Sequence, residues 1–255
     1  MPVITTADGT ELSYDLQGQG EPLLLLSGQA QDRTFWDKVL PCLAQHFQVI
    51  RFDYRGTGHS TQSLALPYST QLFAQDAVQL LEALALQRVH VWGYSMGGRV
   101  AQWLAIDYPT RVKSLILGAT TVGKQGIPRD AEANLWLMSG DINKMSTLQY
   151  SPEFAAQHPE LLAPSNTPPR QRQLHFKASE THDTLDSINQ IQAPTLILHG
   201  GEDRINPTAN AFLMAKHIPQ AQVVIIEHGR HGFIDEYAEY SCELVSQFIN
   251  RIGRE

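Results

Sequence analysis

A mostly parallel α/β sheet covered by helices on both faces is the fold class this sequence predicts. Three observations carry it. Short apolar runs alternate with amphipathic stretches along most of the 255 residues, the pattern of repeated strand–helix units. The run Leu23–Leu26 is apolar at every position, as in a strand buried on both sides. The chain opens with two short strands joined by Asp8-Gly9-Thr10, which adds an antiparallel hairpin before the alternation begins.

Taken in order, strands are expected at Val3–Ala7, Glu11–Leu16, Leu23–Leu26 and Val49–Phe52, with a helix over Phe35–Phe47 between the last two. Ser69–Leu86 carries the clearest helical period, with Phe73, Ala77, Leu80, Leu81 and Leu84 on one face. Strand Val89–Trp92, helix Gly97–Asp107 and strand Leu115–Leu117 follow. Strand Thr195–Leu198, helix Thr208–Lys216, strand Val223–Ile226 and helix Glu236–Ile252 complete the core. Between Thr120 and Ala193 the alternation stops, and prolines recur from Pro128 to Pro169. That stretch is too long for a plain connection. Its apolar side chains, among them Trp136, Leu148 and Phe154, suit a helical cap inserted over the strand ends. The expected organisation is therefore a core of residues 1–119 and 194–255 and a cap of residues 120–193.

The chain is 42% hydrophobic and 18% charged, with a formal net charge of −7. One globular domain with an insertion fits those figures. The acidic balance and the lack of a basic stripe weigh against a nucleic-acid partner. Met1–Asp8 shows no basic and then apolar signal pattern, and Pro22–Leu26 is far too short to span a bilayer, so no membrane partner is expected. Cys42 and Cys242 are expected as two buried thiols, in keeping with a cytoplasmic setting. A monomer and a homodimer fit equally well.

Gly93-Tyr94-Ser95-Met96-Gly97 lies between a strand and a helix. A nucleophile on a sharp strand-to-helix turn needs small residues around it and gains from the amides opening the helix. A serine hydroxyl needs a base, and the base needs an orienting group. Asp203 follows one strand in Gly200-Gly201-Glu202-Asp203, and His231 follows the next in Gly229-Arg230-His231-Gly232. Ser95, Asp203 and His231 are thus the candidate catalytic residues, with His228 and Glu202 as rivals for the last two roles. An acyl-transfer oxyanion needs two donors, expected from the backbones of Met96 and Gln29. Gly28 and Trp136 are the candidate substrate contacts. His90 and His199 are expected to satisfy polar contacts at strand ends, and His175 and His182 to line the cap surface. Arg55-Gly56-Thr57-Gly58-His59-Ser60 lacks the phosphate-loop and dinucleotide spacings, so it reads as a structural loop supported by Asp53. The histidines show no metal-ligand spacing, and neither a metal nor a cofactor is called for.

These pieces together resemble the α/β-hydrolase superfamily: Ser27-Gly28-Gln29, Asp53–Ser60, Gly93–Gly98, Gly200–Asp203 and Gly229–Phe233. The match runs from the third strand to the last and departs at Ser27, where many members carry His. The resemblance implies an eight-stranded sheet with Ser95 as nucleophile, His231 as base and Asp203 as its orienter. Ser95-Met96-Gly97-Gly98 with Gln102-Trp103-Leu104-Ala105 is similar to the branch of 3-oxoadipate enol-lactonases and small esterases. The expected activity is hydrolysis of a carboxylic ester or lactone of a small, fairly apolar molecule through an acyl-enzyme. Two alternatives keep the same residues: carbon–carbon bond hydrolysis of a diketone-type substrate, and a ligand-sensing protein that signals through its cap.

Overall fold

The computed structural model describes residues 1–62, 67–163 and 165–253. Pro164, one of the prolines of the inserted stretch, lies outside the described residues. The strands are β1 (Val3–Thr5), β2 (Glu11–Gln17), β3 (Glu21–Leu26), β4 (Phe47–Phe52), β5 (Val89–Tyr94), β6 (Val112–Gly118), β7 (Thr195–Gly200) and β8 (Gln222–Ile226). They form one sheet in the order β1-β2-β4-β3-β5-β6-β7-β8. Pairings β1–β2 and β2–β4 are antiparallel, and the remaining five are parallel. The chain runs outward from β3 to β4 and then returns to the other side of β3 with β5. This reversal opens a crevice at the carboxyl ends of β3 and β5, where ligands bind in open α/β sheets.

Successive strand residues face opposite sides, so each parallel strand feeds two cores. Leu24, Leu26, Val91, Leu115, Leu117 and Ile197 pack on one face with α2 (Thr70–Ala83) and α3 (Met96–Asp107). Leu23, Leu25, Trp92, Ile116, Leu196 and Leu198 pack on the other with α1 (Leu40–Leu43) and the long C-terminal helix. Burial on both faces is why these strands read as continuous apolar runs. Helix α2 buries Phe73, Ala77, Leu80 and Leu81, the residues its period marked, and the Ser69 hydroxyl caps it by accepting from Leu72 N–H.

The helix expected over Phe35–Phe47 is instead a 3₁₀ turn (Arg33–Trp36) followed by the single turn α1. Pro41 explains the break, because it lacks a donor and restrains the residue before it. The inserted stretch holds α4 (Ala131–Ser139), α5 (Ile142–Gln149), α6 (Pro152–Gln157) and α7 (Pro169–Glu180). Asp130, Asp141 and Ser151 cap the first three of them. After β7 come α8 (Ala209–His217), then after β8 the single turn α9 (Phe233–Glu236) and α10 (Ala238–Ile252). Among the described residues no helix is long and apolar enough to cross a membrane.

The two cysteines are not free thiols. Cys42 on α1 and Cys242 on α10 form a disulfide, with their Cα atoms 6.5 Å apart and a sequence separation of 200. Both helices pack on the same sheet face, which brings the sulfurs together; nothing in a two-cysteine count shows that contact. The reducing, cytoplasmic setting inferred from two thiols loses that support.

The Asp53–Ser60 loop is a polar framework. Asp53 is fully buried and accepts from the amides of Arg33 and His59 and from the Arg33 guanidinium. Arg55 reaches Asp76 at 2.5 Å and Asp8 at 2.8 Å.

Candidate active site

Ser95 stands between β5 and α3 with φ 54, in the left-handed region that L-residues rarely adopt. The strain is held on both sides: Ser95 N–H donates to Gly118 O at 2.8 Å, and the Thr120 hydroxyl donates to Ser95 O at 2.7 Å. Gly97 must lack a side chain, because a Cβ there would lie 1.9 Å from Leu26 O on the neighbouring strand. The turn thus presses α3 against β3 and lifts the Ser95 hydroxyl out of the sheet.

His231 follows β8, and its Nε2 lies 3.1 Å from Ser95 Oγ. Its Nδ1 lies 2.9 Å from Asp203 Oδ2. A proton on Nδ1 toward the carboxylate leaves Nε2 as the acceptor facing the hydroxyl. Asp203 is buried, and its Oδ1 accepts from the amides of Ile205 and Asn206, each at 2.9 Å. Burial pushes the Asp203 carboxyl up, but the charge of His231 and hydrogen bonds from His199 and His231 outweigh it. The carboxyl is held well below its usual range.

The rivals sit elsewhere. His228 is 74% exposed and faces Glu202, which also meets Arg230. His199 lies 2.7 Å from Asn206 O and 3.4 Å from Asp203 Oδ2, and His90 meets the Ser114 hydroxyl, so both satisfy polar groups along their strands. His175 and His182 do not line the surface of the inserted stretch: both are buried. His175 stacks against Phe73 and Tyr54, and burial pushes its pKa down to about 4. His182 packs beside Trp103 and meets Thr70, Gln102 and Thr184. Two imidazoles in a polar, proline-broken segment gave no period from which to read that burial.

Met96 opens α3, so its N–H has no partner within the helix and faces the nucleophile's turn. Gln29 is exposed beside buried Gly28, and both border the cavity that contains Ser95. Ala30, the next residue, has φ 57. Its N–H donates to His175 Nδ1 at 3.4 Å, while its carbonyl accepts from Ser165 at 2.5 Å and Thr167 at 2.9 Å. The inserted stretch therefore grips the loop after β3 from above. It grips the loop after β8 too: Gly232 N–H donates to Gln149 O at 2.7 Å, and the Tyr150 hydroxyl donates to Asp235 at 2.7 Å. A Cβ at Gly232 would lie 2.1 Å from the Tyr150 ring, so the residue after His231 is small because that ring covers it.

Ser95 and His231 open into a cavity of about 450 Å³, with Phe35, Leu137, Met145 and Tyr150 among its walls. A larger cavity of about 700 Å³ lies beyond Gln29 and Phe35 and does not include Ser95. Trp136 does not line the reactive cavity. It packs with Leu137 against Ala133, Leu148 and Ile205, under the Arg204 guanidinium 5.2 Å from its ring. Helical turns of 100° per residue give the cavity to Leu137 and Met138 instead. Arg99 is a lining residue the sequence reading passed over; its place one turn after Ser95 on α3 was the available signal.

The α/β-hydrolase fold model matches residues 21–160 and 123–237 of this chain. A poly(3-hydroxyalkanoate) depolymerase of Ectopseudomonas oleovorans is 30% identical over 244 residues, 90% of this chain and 84% of that protein. A pimeloyl-[acyl-carrier protein] methyl ester esterase of Nitrosomonas europaea is 30% identical over 243 residues, 87% of this chain and 92% of that protein. The enol-lactonase from Burkholderia xenovorans LB400 superimposes with a TM-score of 0.86 at 22% identity, covering 98% of this chain and 100% of that one. With the sheet order, the strained serine turn and these matches in hand, the chain belongs to the α/β-hydrolase fold family.

Proposed function

We propose that this protein is a serine hydrolase of carboxylic esters or lactones that works through an acyl-enzyme. One observation carries the reading: the unbroken line from Ser95 Oγ to His231 Nε2 at 3.1 Å and from His231 Nδ1 to Asp203 at 2.9 Å. Relatives named as a depolymerase of a polyester and as a methyl ester esterase, each 30% identical, support an ester as the bond attacked.

Ser95 Oγ attacks the carbonyl carbon while its proton passes to His231 Nε2. The Asp203 carboxylate holds Nδ1–H and stabilises the imidazolium that forms. The backbone N–H groups of Met96 and Gln29 receive the oxyanion. His231 then returns the proton to the departing alkoxide, leaving an ester on Ser95. A water molecule, deprotonated by the same nitrogen, attacks that ester and frees the acid and the serine. Residues 120–193 act as the cap, setting the substrate chamber through Leu137, Met138, Met145 and Tyr150, with Gly28 at its floor and a small molecule as the partner.

Ser95→Ala is expected to lower kcat on p-nitrophenyl esters by at least about 10⁴-fold and to abolish the burst of p-nitrophenol in single turnover. Turnover in the variant above the level of solution hydrolysis sinks the mechanism.

A further inference from the structure

A second cavity of about 500 Å³ continues from the reactive one, and the two share Arg99 and Arg129 in their walls. Arg99 lies on α3 four residues after Ser95, about 6 Å along the helix axis and on the same side. It is 8% exposed. Its Nη1 donates to Ser179 O at 2.7 Å and Ser179 Oγ at 2.8 Å, and its Nη2 donates to Thr121 Oγ1 at 3.1 Å. Nε–H has no partner among the described residues. All three acceptors are neutral. A guanidinium withdrawn from water and held only by neutral oxygens keeps a desolvation cost that an anion would offset. Burial and repulsion from Arg129 push its pKa down to about 10.

Nothing nearby supplies the anion in full. Arg129 makes no hydrogen bond or ion pair among the described residues, and neither does the Lys124 side chain, which borders the outer cavity. Among the described residues Glu180 is the one carboxylate in either wall of this pair, and it is exposed. Among the described residues three cations face one acid there, in a protein whose formal net charge is −7.

We propose that the cleft leading from Ser95 past Arg99 to Arg129 and Lys124 binds an anionic tail, a carboxylate or phosphate carried on the substrate's acyl chain. The substrate is then not the fairly apolar molecule the sequence led us to expect. It is an amphiphile with its scissile carbonyl at Ser95 and its charge one helical turn away. Arginine suits this task because its planar fork pairs with the oxygens of either anion. The assignment rests on the serine-hydrolase reading of Ser95.

The test compares p-nitrophenyl glutarate bearing a free carboxylate with its methyl-capped form, and a phosphate-tailed p-nitrophenyl ester with its dimethyl-capped form. A charged ester is expected to exceed its capped form in kcat/KM by at least about tenfold. A preference confined to one anion assigns the tail to that anion. Arg129→Gln and Lys124→Gln are each expected to shrink the ratio; among the described residues these side chains make no hydrogen bond or ion pair, unlike Arg99, which also braces Ser179. Ratios near one for both anions overturn the proposal, as does a ratio that survives both substitutions. Equal turnover of charged and capped esters that disappears in Ser95→Ala rejects the tail while leaving the hydrolase intact. Turnover that persists in Ser95→Ala rejects the hydrolase reading itself.

Discussion

Ala30 is the residue on which the loop after β3 depends. Its left-handed backbone turns the chain immediately after Gln29, and three side chains of the inserted stretch hold that turn by its amide and carbonyl. His175 holds the amide with Nδ1 because its Nε2–H is already given to Arg55 O at 3.0 Å, which fixes the tautomer. Removing the imidazole frees the loop to drift by fractions of an ångström, which matters more to a transition-state oxyanion than to a ground-state carbonyl. His175→Leu is therefore expected to lower kcat on p-nitrophenyl butyrate by about tenfold or more with KM near that of wild type. A loss confined to KM excludes this role. The three residues proposed for catalysis were legible in the sequence because each follows a strand and is marked by glycines. Trp136 was misplaced because helical periodicity does not say which of two adjacent apolar residues faces a cavity. His175 escaped notice because its partners, Ala30 and Arg55, lie 145 and 120 residues away.

At the scale of elements, the contact between α5 and the turn α9 joins the inserted stretch to the His231 loop. Tyr150 and Asp235 form its buried centre. Burial pushes the Asp235 carboxyl up to about 6, against the hydrogen bond from Tyr150, which lowers it. The folded protein therefore binds a proton more tightly at this site than the unfolded chain does. Above about pH 6 the ionised buried carboxylate costs roughly 3 kcal/mol, and the cost fades as pH falls toward the unfolded value near 4. Asp235→Asn keeps an acceptor for the Tyr150 hydroxyl and removes the ionisation. The variant is expected to melt several degrees above wild type at pH 8 and to converge with it near pH 4. Parallel melting curves across that range count against the explanation. Strands were the most legible elements, since two-sided burial writes unbroken apolar runs. Short helices were the least: Pro41 divided one expected helix, and the helices of the insertion are fixed by caps and docking contacts more than by an apolar stripe.

For the molecule as a whole, a mostly parallel sheet with an antiparallel start and helices on both faces follows from the alternation and the opening hairpin, while the order of its strands and the bond between Cys42 and Cys242 do not. A cross-link spanning 200 residues restricts the unfolded chain far more than the folded one. In the chain-entropy account this amounts to about 5 kcal/mol. The Cys42→Ala/Cys242→Ala double variant is expected to melt about 10 °C lower than the oxidised protein, and reduced wild type to follow it. An unchanged melting temperature denies the cross-link that role.

The same bond alters the connectedness of the polymer. From Cys42 to Cys242 the backbone is a closed ring, and the entire inserted stretch lies on that ring. One peptide cut anywhere on that ring opens it without parting the pieces. A protease that severs the segment above the active cavity would leave a single covalent molecule, separable into two fragments only after a reductant is added.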